Sequence, residues 1–364
     1  MKRVLLRGYF GVNLGDDLFF RVIAMRYPNV RFYIATTRCD YRDLLRDLPN
    51  VKVIDFFKIA KLTSKKIYTL PKIYSRLNIK RFDAVVCVGG SLFIDRINPP
   101  VWHRKAIERY SFLCDWEYAK AANVPYFVLG ANWGPCYNDY FYNHFNKAFD
   151  SLTDLYFRDR ASYDLFSQKP MVRCGGDILM GNPLVKKFAA GIEKKKQVAI
   201  SVIDPGKKND INPECYYRNM ADLCRDYSAE GYAVKLLSFC KDEGDEDACL
   251  QVLKYAGENA AEPVYYQGNC QEILRVIAES ELIIATRFHA TVLGWTLGVP
   301  VYTVAYSNKA LNLMTDCGTE GSCVSLEKME SLNIKTVKEC ATLPDADLFS
   351  GAEIAFERLD KLLR

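Results

Sequence analysis

The sequence lacks the long apolar runs that membrane-spanning proteins require. No stretch of its 364 residues approaches the ~20 consecutive apolar residues that cross a bilayer, and the opening MKRVLL contains no signal-peptide core. The 13 cysteines are dispersed without a C-x-x-C pair, which is untypical of a disulfide framework. We therefore expect a cytoplasmic protein with reduced thiols.

Several catalytic and metal-binding motifs are also missing. The sequence contains no HExxH, no G-x-S-x-G, no Walker loop and no paired Cys/His cluster. It therefore gives no support for a zinc protease, an α/β-hydrolase or a P-loop enzyme. We predict no metal site.

The pattern that is present is an alternation of short apolar runs with helix-like segments, which is typical of βα units around a parallel sheet. Several of the runs are continuously apolar, as strands buried on both faces are. The predicted strands are 4–6, 31–35, 84–88, 126–129, 155–157, 198–202, 233–237, 282–285 and 301–304.

The length predicts two domains. Turn-forming residues and lysines cluster at 181–196, so we place the linker there, between an N-terminal domain at 1–180 and a C-terminal domain at 197–364. Both halves fit open α/β sheets, in which ligands bind at the carboxyl ends of the strands. The segment 352–363 is predicted to be a helix, and whether it packs back on the first domain stays open.

Positive charge is concentrated in the front of the chain, where 1–110 holds 22 Lys and Arg against 9 Asp and Glu. The segment 58–81 is the densest part and contains no acid. A solvated surface is one interpretation. A second is peripheral contact with an anionic membrane or a lipid-linked acceptor, which would place the protein at the inner face of the membrane. Nucleic acid is the least favoured partner, because no recognition motif accompanies the charge.

Three glycine-bearing turns follow predicted strands of the first half, in GYFGVNLGDDLFF at 8–20, VVCVGGSLFI at 85–94 and LGANWGP at 129–135. Such turns let a ligand approach the backbone and expose N–H groups at helix starts, although turn and capping roles explain the same residues. The candidate substrate-binding residues here are Asn13, Gly15, Asp16, Gly89, Gly90, Ser91 and Asn132.

The most informative segment is 283–309, IIATRFHATVLGWTLGVPVYTVAYSNK. A predicted strand leads into Arg287 and His289 at the start of a helix, a setting that favours an anionic ligand. The next predicted strand ends in Ser307, Asn308 and Lys309, so a hydroxyl, an amide and a second cation follow on the neighbouring loop. A purely structural histidine is the competing interpretation of His289.

With FRDRASYDLF at 157–166 and the following Gly176-Asp177, these motifs make the chain resemble the polysaccharide pyruvyltransferase family. The resemblance implies an α/β fold with two Rossmann-like domains facing across a cleft, similar to B-type glycosyltransferases. It also implies transfer of a pyruvyl group from phosphoenolpyruvate to two hydroxyls of a sugar, with release of phosphate and no further cofactor. The second domain would bind phosphoenolpyruvate and the first a sugar or lipid-linked oligosaccharide. Asn308 departs from the usual pattern, in which proline precedes the lysine.

The family chemistry suggests roles for the candidate residues. Arg287 and Lys309 suit the phosphate and carboxylate of phosphoenolpyruvate, and His289, with Arg287 in the catalytic set, either protonates the enol methylene or stabilises the departing phosphate. Arg158 is a further anion contact or part of a structural network with Asp159. Asp177 is a candidate base for a sugar hydroxyl, with a packing role favoured.

Two other functions remain open on the sequence. One is a nucleotide-sugar-dependent glycosyltransferase of the same fold, and the other is a non-catalytic protein that binds glycan or phosphate. The acceptor sugar and the oligomeric state are not predicted.

Overall fold

The computed structural model describes residues 1–58, 70–96, 115–207, 212–345, 347–348 and 351–364. It contains two compact units, the first made of Met1–Phe10, Phe19–Ile178 and Glu353–Arg364 and the second of Gly11–Leu18 and Leu179–Ala352. Residues 59–69, in the first half of the basic segment 58–81, lie outside the described residues. The membrane-contact interpretation of that segment therefore stays a prediction.

The first unit contains a parallel sheet in the order β3-β2-β1-β4-β5-β6-β7. This is the order of a doubly wound fold, and it reverses between β1 and β4, the place where such folds bind ligands. The strands are β1 (Arg3–Arg7), β2 (Arg31–Thr36), β3 (Val51–Asp55), β4 (Ala84–Val88), β5 (Tyr126–Ala131), β6 (Asp154–Phe157) and β7 (Val172–Cys174).

Helices connect these strands. Aromatic side chains pack in the core of the first unit. Phe93 contacts the rings of Phe145, Phe149 and Phe157 at centroid distances of 5.0, 5.2 and 6.5 Å. The helices are α1 (Leu14–Arg26), α2 (Tyr41–Leu44), α3 (Leu70–Asn78), α4 (Trp116–Ala121), α5 (Asp139–Phe149) and α6 (Arg160–Asp164). Helix α1 begins in the second unit and continues in the first from Phe19.

The second unit repeats the same topology, in the order β10-β9-β8-β11-β12-β13. Its strands are β8 (Gln197–Ser201), β9 (Ala233–Ser238), β10 (Glu262–Tyr265), β11 (Leu282–Ala285), β12 (Val301–Ala305) and β13 (Cys323–Ser325). Its helices are α7 (Pro183–Lys187), α8 (Pro213–Ala229), α9 (Asp245–Ala256), α10 (Cys270–Glu279), α11 (Phe288–Thr296), α12 (Asn308–Asp316) and α13 (Ile334–Cys340). All the paired strands in both sheets are parallel.

The limits of the units differ from the predicted domains in three places. Gly11–Leu18 belongs to the second unit, and the predicted linker 181–196 also lies within it and contains α7. Glu353–Arg364, most of the last helix α14 (Gly351–Leu363), belongs to the first unit. There Arg26 donates to Glu353 and Asp360, each at 2.8 Å.

None of the helices in the described ranges is long and apolar enough to cross a membrane.

Candidate functional site

The segment Gly11–Leu18 is held in the second unit by backbone contacts to the loop after β9. The amide of Leu14 donates to the carbonyl of Phe239 at 3.1 Å, and the thiol of Cys240 lies 3.5 Å from the carbonyl oxygen of Gly11. Asn13 pairs with Cys240 in an isolated β-bridge, and its side-chain oxygen accepts from the amide of Gly15 at 3.1 Å. The turn-forming role of Asn13 is therefore visible.

The buried pair of Asp17 and Tyr266 holds the start of α1 from another side. The Tyr266 hydroxyl donates to Asp17 Oδ2 at 2.8 Å. Burial raises the pKa of Tyr266 strongly, and the Asp17 carboxylate raises it further, so the phenol stays a donor at neutral pH. Val12 has a φ of 49°, a conformation that strains a β-branched residue. The contacts around the segment impose this conformation.

The imidazole of His289 lies directly against Gly15. A Cβ atom built on Gly15 would stand 1.8 Å from His289 Nδ1 and 2.3 Å from its Cγ. His289 is partly buried and is the second residue of α11, four residues after the last residue of β11. The structure thus brings together two residues that the sequence separates by most of the chain, and only glycine fits beneath this ring.

Arg287 is buried, with 6% of its surface exposed, and its guanidinium contacts two carboxylates. It donates from Nε to Asp245 Oδ2 at 2.8 Å and from Nη2 to Asp245 Oδ1, and from Nη1 to Glu243 at 2.5 Å. Burial opposes its charge, but Asp245 and Glu243 outweigh burial and hold the pKa of Arg287 well above its ordinary value. The side chain predicted to meet the donor thus forms a buried ion pair.

Residues Ser307–Lys309 follow β12, which pairs with β11. Ser307 stands at the N-cap of α12, Asn308 is exposed, and Lys309 is partly buried with its Nζ 5.7 Å from the centroid of the Tyr306 ring. Helices α11 and α12 therefore begin after adjacent strands. Their first turns carry N–H groups and the positive ends of two helix dipoles, which favour an anion.

A second cluster joins four strand ends of the first unit. Arg158 donates to Asp177 Oδ2 at 2.9 Å and to Asn132 Oδ1 at 3.0 Å. Its guanidinium packs against Gly90, where a Cβ would stand 2.3 Å from Arg158 Cζ. Arg158 and Asp177 are both buried, which favours the structural interpretation of each.

Asp159, the predicted structural partner of Arg158, caps α6. Its side chain accepts from the backbone amide of Ser162 and from the Ser162 hydroxyl, each at 2.8 Å. The other strand-end candidates are placed as follows: Gly89 has a φ of 145°, Ser91 is exposed and Asp16 is partly exposed in the first turn of α1.

The residues that the sequence analysis missed are Asp245, Glu243, Tyr266 and Cys240. All four follow β9 or β10, so the strand-end rule that identified Arg287 and His289 points to them as well. In the described ranges, no group of three or more His, Cys, Asp or Glu residues is placed to hold a metal ion.

The family model described as polysaccharide pyruvyl transferase matches residues 13–308 of the chain. The chain belongs to this family. The amylovoran biosynthesis protein AmsJ of Erwinia amylovora is 23% identical over 263 residues, a match that spans 66% of this chain and 60% of that protein. The family predicted from the motifs is confirmed.

Solved structures share the fold of this pyruvyl transferase family member. The UDP-GlcNAc 2-epimerase of Methanocaldococcus jannaschii matches with a TM-score of 0.63 at 14% identity, covering 100% of this chain and 99% of that one. HepE of Anabaena in complex with UDP-glucose gives 0.56 at 15% identity, covering 100% and 97%. MurG of Acinetobacter baumannii gives 0.52 at 12% identity, covering 99% and 100%. The predicted class, two parallel α/β units as in B-type glycosyltransferases, is confirmed.

Proposed function

We propose that this protein transfers a pyruvyl group from phosphoenolpyruvate to two hydroxyls of a sugar in a surface-polysaccharide precursor. Membership of the family and similarity to AmsJ, an amylovoran biosynthesis protein, support a transferase of polysaccharide synthesis. The observation that carries the finer proposal is the position of the His289 imidazole. It lies at the start of α11, packs against Gly15, and follows a strand that neighbours the strand before Lys309.

The donor brings a phosphate and a carboxylate, so its site needs N–H donors and positive charge. We assign anion binding to the first turns of α11 and α12, with Ser307 and Asn308 as polar contacts and Lys309 as the cation. Asp245 and Glu243 neutralise Arg287, so we assign Arg287 a positioning role in place of the predicted direct contact.

The reaction needs a proton at the methylene carbon of phosphoenolpyruvate and attack of a sugar hydroxyl on the adjacent carbon. A second hydroxyl then forms the other C–O bond as the bond to phosphate breaks. The two hydroxyls lose two protons in all, and one ends on the new methyl group and the other on phosphate. An imidazole can donate a proton or a hydrogen bond, so His289 suits either the protonation or the stabilisation of the departing phosphate.

The test measures phosphate release from phosphoenolpyruvate with a panel of sugar and lipid-linked acceptors. We expect release with wild-type protein and its loss in His289→Gln, while His144→Gln, a histidine of α5 in the first unit, keeps wild-type turnover. Unchanged turnover in His289→Gln would remove His289 from the mechanism.

Thermal shift separates the alternative functions, because a ligand that binds the native state stabilises it. We expect stabilisation by phosphoenolpyruvate. Stabilisation by a nucleotide sugar alone would favour a glycosyltransferase, and stabilisation by a glycan or phosphate without any turnover would favour a binding protein.

A further inference from the structure

Asp245 is a fully buried carboxylate at the first residue of α9. It accepts hydrogen bonds from two parts of the second unit, the turn that carries Arg287 and the loop after β9. One pair of donors is Nε and Nη2 of Arg287. The other pair is the backbone amides of Phe239 and Cys240, at 3.1 and 3.0 Å from Oδ2. Burial raises the pKa of Asp245, while the Arg287 guanidinium and the backbone amide of Phe239 oppose that rise. The four hydrogen bonds tie both parts to one carboxylate.

The turn that carries Arg287 also carries His289. Arg287 is the N-cap residue of α11 and precedes His289 by two positions. The backbone there is also fixed at β8, because Ser201 Oγ accepts from the amides of Thr286 and Arg287 at 3.1 and 3.0 Å. The ion pair with Asp245 therefore fixes the turn from which the imidazole projects.

The loop after β9 is connected to His289 through its contacts with the segment Gly11–Leu18. Phe239 and Cys240 are the residues on which the segment Gly11–Leu18 is held, through the amide of Leu14 and the bridge to Asn13. That segment carries Gly15, whose backbone lies against the imidazole ring. One carboxylate thus locates both the turn that carries His289 and the surface on which its ring rests.

We infer that Asp245 is a positioning residue for His289, an assignment that rests on the proposed function and deepens it. The carboxylate accepts on both oxygens, and Asn at this position keeps the shape but presents one oxygen and one NH2 group. An NH2 group at the Oδ1 position takes the acceptor from Nη2 of Arg287, and one at the Oδ2 position takes it from Nε of Arg287 and from the amides of Phe239 and Cys240. Asp245→Asn therefore weakens the connection between the two parts in either orientation. The ring then loses its fixed place.

The kinetic test compares Asp245→Asn with a matched control, Asp154→Asn. Asp154 is also fully buried and ion-paired, with Arg173 Nε and Nη2 at 2.8 and 2.7 Å, but it stands at the first residue of β6 in the first unit. We expect both variants to lose thermal stability. Asp245→Asn should also lose about 10²-fold in kcat, as a ~1 Å misplacement of a catalytic group does, with a smaller change in KM. Asp154→Asn should keep the wild-type kcat.

A double-mutant cycle separates positioning from an independent effect. In a His289→Gln background, Asp245→Asn should cause no further loss of residual turnover, because Asp245 acts through the imidazole that is already gone. Losses that multiply in the double variant would overturn the inference. If Asp245→Asn does not fold, Ser201→Ala removes the other anchor of the same turn and should lower kcat in the same direction; a wild-type kcat in that variant counts against the inference.

A spectroscopic measurement keeps this inference apart from the proposed function. The chain has three histidines, so imidazole NMR signals can be assigned by single substitutions. Asp245→Asn should move the His289 signals and leave those of His144, and Asp154→Asn should leave the His289 signals in place. An unmoved His289 signal refutes positioning even if pyruvyl transfer is confirmed. A moved signal supports positioning even if the transferred group proves to be different.

Discussion

Replacing Gly15 with alanine tests whether the contact with His289 matters for activity. The added Cβ would stand 1.8 Å from His289 Nδ1, whereas ordinary van der Waals contact begins at 3.4 Å. The ring or the backbone beneath it must therefore move, by about 1.6 Å to restore ordinary contact, since overlap of this size is not tolerated.

The size of the effect follows from that displacement. A misplacement of ~1 Å at a catalytic group costs about 10²-fold in rate, so we expect Gly15→Ala to lower kcat/KM by at least that factor. The accompanying cost in stability is that of an overpacked site, roughly 1–3 kcal/mol, partly offset by the ~1 kcal/mol by which alanine favours a helix over glycine.

The assay is phosphate release from phosphoenolpyruvate, with urea denaturation to check folding. Gly321→Ala is the control in the same unit, because a Cβ there meets nothing within 4 Å. It should keep both activity and stability. A folded Gly15→Ala protein with wild-type kcat/KM would show that the position of the imidazole does not limit the reaction.

Two further predictions concern the first unit. Gly90→Ala should destabilise it by about 1–3 kcal/mol in urea, because the new Cβ would stand 2.3 Å from Arg158 Cζ; an unchanged midpoint would contradict the packing of that cluster. Burial raises the pKa of Asp360, but hydrogen bonds from Arg26 and Tyr27 outweigh it and hold the pKa below its ordinary value. The stability from Asp360 is thus present above a pH of about 3.9 and lost as the pH falls through the folded pKa, so Asp360→Asn should lower the urea midpoint near neutral pH and less in acid. An equal loss at both pH values would refute it.

The pattern of apolar residues predicted the central strands of both sheets and missed the edge strands. All nine predicted strands are confirmed, with ends within two residues. Among the described residues, the four strands that were missed, β3, β7, β10 and β13, are the outermost strands of the two sheets. They are less buried than the central strands, so their sequences carry less of the continuous apolar signal.

The candidate site was predicted from the residues that follow strand ends. This rule explains which residues were predicted to lie together and which contacts were missed. The rule placed His289 and Lys309 after adjacent strands, as the structure does. It could not pair Arg287 with Asp245, because an ion pair between residues 42 positions apart depends on how two loops meet. Nor could it assign Gly15 to the second unit, since a helix that begins in one unit and continues in the other leaves no trace in local sequence.

The return of Glu353–Arg364 to the first unit affects the order in which the chain can assemble during synthesis. Residues 1–352 emerge from the ribosome before the partners of Arg26 do, so the first unit stays incomplete while every segment of the second is already available. The second unit can therefore reach its full set of contacts before the first, although the chain begins in the first. A nascent chain stalled before Glu353 should expose the surface of α1 that this helix later covers.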